Sequence, residues 1–326
     1  MSPTDAGQPR YLDAATVAAS LPPASAVEAI TTALRAGLDP ADDIPRTVVP
    51  AGRGQLLIMP AQTSRHVGVK LVTVAPENPA RGLPRISGTY VVFDAETLRP
   101  SHLLDGVALT NLRTPAVSVA AIRPWLDRID GPLRVVAFGA GPQAIGHVQT
   151  VSAVHSVATV ALVVRQPQRV RLPTSMDSTR VLSAGDPEVT RILQQADLVV
   201  CATTAQTPLF DSRLLGDRAI VVAIGSHEPD AREVDSAFCG RATVIVEERQ
   251  NALRECGDIV LAIAEGTLRP DDLIPILEVT IGERLARDEP VLFKGSGMSW
   301  QDLVIAEAVL EALVAEGDQH SPGSTV

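Results

Sequence analysis

The chain has 326 residues, 45% of them hydrophobic, which is enough for two domains with a core each. A formal charge of −10 disfavours nucleic acid as a partner, because phosphate binding needs a basic footprint. The longest apolar runs are strand-sized, such as residues 219–224, and fall well short of the ~20 residues a bilayer requires, so no membrane partner is expected.

The first residues, Met-Ser-Pro-Thr-Asp-Ala-Gly, have neither a basic start nor an apolar segment, so no signal peptide is expected. Three scattered cysteines, Cys201, Cys239 and Cys256, suit a reducing cytoplasm, and the histidines show no zinc-like spacing, so no metal is expected. Residues 25–28, Ser-Ala-Val-Glu, read as a capping box opening a helix to about Arg35, with Gly37 as its stop. Strands are predicted at 46–49, 55–59, 67–74 and 88–94, with a loop at 75–79. This first part reads as α+β.

From Arg134 the pattern alternates. Strands are predicted at 134–138, 157–164, 180–183, 198–202, 219–224 and 243–246, with helices between several of them, one at 187–195. Short, nearly all-apolar runs imply a parallel sheet covered on both faces. A last amphipathic helix, 302–314, is expected to fold back on the first domain, and the tail 320–326 to fray. The fold class is therefore α/β, a Rossmann dinucleotide-binding domain over 125–302 plus an α+β domain over 1–124 with 303–326.

The most informative stretch is Arg134–His147. An apolar strand ending at Phe138 runs into Gly139-x-Gly141-x-x-Ala144, and Ala144, Ile145, Val148 and Val151 then share a helix face. Gly139 permits a tight turn, Gly141 a close approach of backbone to pyrophosphate, and Ala144 close helix–strand packing, with the helix N-terminus facing the phosphates. The second strand ends Val163-Val164-Arg165-Gln166. The acidic residue that usually bonds a ribose 2′-hydroxyl is missing there, and Arg165 could pair with a 2′-phosphate, so NADPH is expected over NADH.

Of the 28 basic residues only two, Lys70 and Lys294, are lysines. A compact amine that can lose its proton is something arginine cannot supply. Lys70 lies inside the apolar strand 67–72, where an ammonium is costly unless paired or used; the alternative is an edge strand with Lys70 facing water. Arg113 precedes Pro115, which suits a helix's first turn, and an arginine near a helix start should have an anion to bind. Arg46 begins a strand, and two guanidinium forks can grip one carboxylate.

These motifs, taken in order, resemble the ornithine cyclodeaminase/mu-crystallin family: Met59-Pro-Ala, Gly68-Val-Lys70, Pro76-Glu-Asn78, Leu109-Thr-x-x-Arg113-Thr, the Gly139 fingerprint with Gln143, Ala202-Thr-Thr204, the run from Gly225 to Asp235, and Gly295-Ser-Gly297 followed by Asp302. The resemblance spans nearly the whole chain. It implies a homodimer whose substrate-binding domain also makes the dimer contact, acting on a small imino or amino acid. It implies Arg46, Lys70 and Arg113 as the grip on the substrate carboxylate, with Lys70 close to the reacting carbon–nitrogen bond. Cofactor contacts are implied for Gly139, Gly141, Pro142, Gln143 and Ala144, for Thr203 and Thr204, and around Gly225, Lys294 and Gly295.

Two departures matter. His227 stands where cyclodeaminases carry an aspartate, and Leu57 where they carry a glutamate, so both carboxylates for a cationic side chain are missing. The expected activity is NADPH-dependent reduction of an α-imino acid or cyclic ketimine, with Lys70 stabilising charge at the imine and His227 as a candidate proton relay. The alternatives are an amino-acid dehydrogenase running oxidatively, a cyclodeaminase, and a non-catalytic ligand-binding protein.

Overall fold

The computed structural model describes residues 8–284 and 286–319, so the first seven residues and the tail expected to fray lie outside the described residues. The chain divides into two compact units. The first comprises residues 1–33, 42–113 and 298–326, and the second residues 34–41 and 114–297.

The first unit contains β1 (Arg10–Leu12), α1 (Ala14–Ser20), the start of α2 (Pro23–Arg35), β2 (Thr47–Ala51), β3 (Gly54–Gln62), β4 (His66–Val74), β5 (Ile86–Asp94) and β6 (Pro100–Asp105). They form a sheet of order β1-β6-β5-β4-β3-β2, with β4 in its middle. Burial alternates along the strands as the pleat requires: on β4, Gly68, Lys70 and Val72 are buried while Leu71 and Thr73 are exposed. The C-terminal helix, Ser299–Gln319, packs on β3 and β4. Asp43 caps it from a distance, its two carboxylate oxygens accepting the Ser299 and Trp300 N–H groups.

Gly68 has a packing reason. A Cβ there would stand 2.1 Å from the hydroxyl of Tyr90, which is fully buried. Pro60 lies in β3 beyond the last residue paired to β2, so its missing N–H costs no bond on that side.

The second unit is built on β7 (Leu133–Phe138), α4 (Pro142–Val154), β8 (Val157–Val164), β9 (Arg180–Ser183), α5 (Pro187–Gln194), β10 (Leu198–Cys201), β11 (Ile220–Ala223), α6 (Ser236–Arg241), β12 (Thr243–Val246), α7 (Arg249–Glu255), α8 (Gly257–Ala264), β13 (Ile274–Pro275), α9 (Ile276–Thr280) and β14 (Val291–Lys294). The strands pair in parallel in the order β13-β12-β14-β11-β10-β7-β8-β9. All of β10, β11 and β14 is buried, as expected for strands covered on both faces. Successive connections leave β7 in opposite directions, to β8 on one side and β10 on the other, which is the Rossmann switch point. Cys201, Cys239 and Cys256 are buried free thiols. Among the described residues no single helix is long and apolar enough to cross a membrane.

Three local expectations change. The first long helix opens at Pro23 instead of Ser25, because proline suits a first helical turn, and its residues Ala26, Val27, Ile30 and Leu34 are buried. The loop expected at 75–79 ends in a 3-10 turn, Asn78–Arg81. The largest change concerns Pro115, which lies inside a helix, α3 (Gly106–Leu126), and not at its start. Asp105 supplies the start signal by accepting the Val107 and Ala108 N–H groups. Arg113 is therefore two turns into the helix, and the dipole argument for an anion there does not apply. β1, β6, β13 and β14 were not visible in the strand pattern.

Replacing Gly68 by alanine is expected to lower stability by about 1–3 kcal/mol through overpacking, read as a lower denaturation midpoint. Adding Tyr90→Phe should return part of that loss, since the atom in the way is the hydroxyl; no recovery would show that the clash lies elsewhere.

Candidate active site

The first unit brings Arg46, Lys70 and Arg113 together. Lys70 is on the buried face of the middle strand and is 3% exposed, so the edge-strand alternative does not hold. Its ammonium donates to Asp302 Oδ2 at 2.7 Å, and Asp302, in the first turn of the C-terminal helix, is fully buried. The carboxylate's other oxygen lies 3.5 Å from Arg113 Nε, while Arg113 Nη1 donates to Gln301 Oε1 at 2.7 Å. Arg113 thus has its anion, supplied by the C-terminal helix and not called for by any helix dipole. Arg46 immediately precedes β2 and is half-buried.

Burial lowers the Lys70 pKa to about 8; Asp302 opposes that shift, while the positive charges of Arg113 and Arg46 add to it. The amine is therefore poised to titrate a little above neutral pH. A satellite apolar cluster, Leu57, Met59 and Val72, occupies the same sheet face. Met59 stands directly opposite Lys70 in the β3–β4 register, and Leu57 opposite Val72.

In the second unit the Gly139 turn has the geometry a dinucleotide needs. Gly139 has φ +106°, and a Cβ there would lie 2.6 Å from the Ala202 carbonyl oxygen. Gly141 is the N-cap of α4 and lends its helix no side-chain cap, and a Cβ at Gly141 would meet no protein atom within 4 Å. Uncapped N–H groups and open space in front of them fit a pyrophosphate. Pro142 opens α4, Gln143 is half-buried beside it, and Ala144 is buried. His147, one turn on, is buried; its Nδ1 donates to the Gln143 carbonyl at 2.7 Å and Nε2 meets Ser118 Oγ at 2.9 Å. Burial lowers its pKa to about 4, so it is neutral.

Arg165 is exposed just beyond the end of β8, followed by exposed Arg169 and Arg171. Thr203 and Thr204 follow β10, and the hydroxyl of Thr203 donates to Glu233. Gly225 follows β11, and His227 is exposed in the same loop. Gly295 follows β14 and is buried against Glu247, whose carboxylate accepts the Ser296 and Gly297 N–H groups. Lys294 is fully buried, ion-paired with Asp258 and donating to the Ser226 carbonyl, so its amine points into the protein. Among the described residues no group of three or more His, Cys, Asp or Glu is placed to hold a metal.

Nothing in the sequence gives Asp302, Gln301 or Glu233 a role. Asp302 stood in a noted motif, but only the fold shows it beneath Lys70.

A sequence model of the ornithine cyclodeaminase/mu-crystallin family matches residues 11–317. The chain belongs to that family. It is 31% identical over 270 residues to a Δ1-pyrroline-2-carboxylate reductase of Bacillus cereus, covering 80% of this chain and 82% of the relative. It is 30% identical over 280 residues to a Δ1-pyrroline-2-carboxylate/Δ1-piperideine-2-carboxylate reductase of Azospirillum brasilense, covering 83% and 85%. The fold matches that of Thermococcus litoralis Δ1-pyrroline-2-carboxylate reductase, solved with NADH and L-proline, with a TM-score of 0.84 and 23% identity over 94% of this chain and 98% of that one.

Breaking the buried pair from one side should be costly. Asp302→Ala is expected to destabilise by about 3–5 kcal/mol in chemical denaturation, because Lys70 and Arg113 lose their carboxylate. Lys70→Met with Asp302→Leu should recover much of that loss, and a single variant as stable as the wild type would deny that the pair is buried.

Proposed function

We propose that the protein is an NADPH-dependent reductase of a cyclic α-imino acid such as Δ1-pyrroline-2-carboxylate, yielding the L-amino acid. That it is an oxidoreductase of carbon–nitrogen bonds follows from its family and from relatives of that activity. The observation that carries the finer reading is the buried Lys70, held between one carboxylate and two guanidinium groups.

The chemistry follows from those charges. Arg46 and Arg113 hold the substrate carboxylate, whose negative charge relieves the repulsion among the three cations. Lys70, protonated at neutral pH, donates a hydrogen bond toward the reacting C=N group and stabilises it in the polarised form. When bound, a nicotinamide dinucleotide would supply the hydride for the imine carbon, and the imine nitrogen would take a proton. His227, exposed in the loop after β11, is the candidate relay for that proton. Leu57, Met59 and Val72 are buried and apolar on the Lys70 face of the sheet, and Leu57 stands where cyclodeaminases carry a glutamate, so this face supplies no carboxylate for a second amine. A cyclodeaminase, which must accept a diamino acid, is therefore disfavoured.

The Gly139–Ala144 turn would hold the phosphates of a bound dinucleotide, with Thr203, Thr204, Gly225 and Gly295 on the neighbouring strand ends as further candidate contacts. Arg165, with no acidic residue at the end of β8, favours a 2′-phosphate and hence NADPH.

A homodimer is also proposed, formed by the outer face of the first unit's sheet. Val69, Leu71 and Ile58 on that face are apolar and half-buried to exposed, more than an isolated soluble sheet should show. Light scattering should give twice the 34.3 kDa chain mass, and a monomer at micromolar concentration would refute it.

The test of function is NADPH and NADH oxidation with Δ1-pyrroline-2-carboxylate, Δ1-piperideine-2-carboxylate and open-chain imino acids. Turnover should be greatest with a cyclic imino acid, and Arg165→Ala should cut kcat/KM for NADPH about tenfold or more while sparing NADH. The acid form of Lys70 is the active one, so kcat/KM for reduction should fall as pH rises through about 8. Ornithine conversion without net cofactor change, or a clear NADH preference, would contradict the reading.

A further inference from the structure

A second buried charge cluster lies at the carboxyl ends of the second unit's strands, away from the Lys70 group in sequence and in unit. Phe138, Cys201, Ala223 and Lys294 are the last residues of β7, β10, β11 and β14 and stand in register across the sheet. Lys294 thus ends its strand on the same rim as the Gly139 turn, yet it is fully buried, as are Asp258 and Glu233.

One carboxylate ties two loops. Glu233 Oε1 accepts the Thr203 N–H and hydroxyl, both at 2.7 Å, and Oε2 accepts the Gly225 N–H at 2.7 Å. The turn after β10 and the turn after β11 are so brought together that a Cβ on Gly225 would lie 2.1 Å from the Thr203 carbonyl oxygen and 2.6 Å from Glu233 Oε1. The turn after β10 in turn supplies the Ala202 carbonyl against which Gly139 packs.

The rest of the cluster holds Glu233 in place. Asp258, in the first turn of α8, accepts the Glu233 and Val234 N–H groups on Oδ1, both at 2.8 Å, and meets Lys294 on Oδ2 at 2.9 Å. Lys294 also donates to the Ser226 carbonyl at 2.6 Å, fixing the residue after Gly225. Burial alone would pull the Lys294 pKa down, but the negative charges around it, Asp258 foremost, outweigh that and raise it above its ordinary value. A lysine so held is charged at every working pH and is not a proton donor.

We propose that Glu233, Asp258 and Lys294 are positioning residues for the dinucleotide. They fix the turns after β10 and β11 against the Gly139 turn, and Lys294 acts through Asp258 and Ser226 without touching the cofactor. Lys294, assigned to the cofactor from its motif, thus serves it at one remove. This rests on the dinucleotide reading above. An apolar cluster could pack the same space, but it could not accept inward-facing N–H groups from two separate turns.

Two variants test it. Glu233→Gln keeps the shape but turns an amide N–H₂ on one of the two loops, opposing a donor with a donor. Lys294→Met with Asp258→Asn removes both charges together, so neither is left buried alone, and deletes the anchor on Ser226. Each is measured by thermal melting, by NADPH titration followed by fluorescence, and by steady-state kinetics with Δ1-pyrroline-2-carboxylate. Both variants should melt cooperatively, with the NADPH Kd and KM raised about tenfold or more while kcat at saturating NADPH and the imino-acid KM stay within about threefold. Folded variants with wild-type NADPH affinity would overturn the proposal. So would failure of both to fold, since the cluster would then be a core element and not a support for two turns. A wild-type protein that binds neither NADPH nor NADH would instead refute the reading on which the proposal rests.

Discussion

The ion pair between Lys70 and Asp302 is the constraint on which the first unit depends. Both groups are almost entirely buried, so each charge depends on the other for compensation. The pair joins the middle strand of the sheet to the C-terminal helix, placing the last segment of the chain beneath residues more than 200 positions earlier. It also keeps a charged amine on a buried sheet face beside the apolar side chains of Leu57, Met59 and Val72. The cost of burying it is offset by a single carboxylate that it shares with Arg113. A substrate carboxylate entering that group would meet cations already fixed in place, and fixed partners spend no free energy on reorganisation during the reaction.

The two lysines of the chain show how the same burial yields opposite outcomes. Lys70 has one carboxylate and two guanidinium groups around it, and its proton is loosened. Lys294 has the carboxylates of Asp258 and Glu233 around it, and its proton is held tighter than usual. The first is suited to chemistry near neutral pH, the second to permanent structure. In a chain that uses arginine almost everywhere else on its surface, both positions call for an amine small enough to be enclosed.

Much of the second unit was legible because its signals are local. The Gly139 turn, the all-apolar strands and α5 are each written in a few consecutive residues, and β8, β9 and β12 have the predicted bounds. β14 escaped because a strand ending in lysine and followed by Gly-Ser-Gly resembles a loop; only pairing between β11 and β12 buries it. Pro115 misled for a related reason. Proline usually marks a first turn, but the cap set by Asp105 and the buried apolar side chains of α3 carry the helix through it. In the site, Arg46 and Lys70 stand out from charge and setting, whereas the helix-start argument for Arg113 fails and only its family motif points to it. Asp302 and Glu233 do not stand out, because what each does depends on partners distant in the sequence: 232 positions separate Lys70 from Asp302, and 30 separate Thr203 from Glu233.

Because only two lysines exist, their titration can be followed without ambiguity. In protein carrying ¹³C-labelled lysine, the two Cε resonances can be recorded by NMR from pH 6 to 11, with Lys70→Arg assigning them. One resonance, that of Lys70, should titrate near 8, and that of Lys294 should stay in the ammonium form throughout. A Lys70 resonance titrating near the ordinary lysine value of about 10.4 would show an amine bathed in water, and the account of a buried, charge-crowded anchor would be wrong.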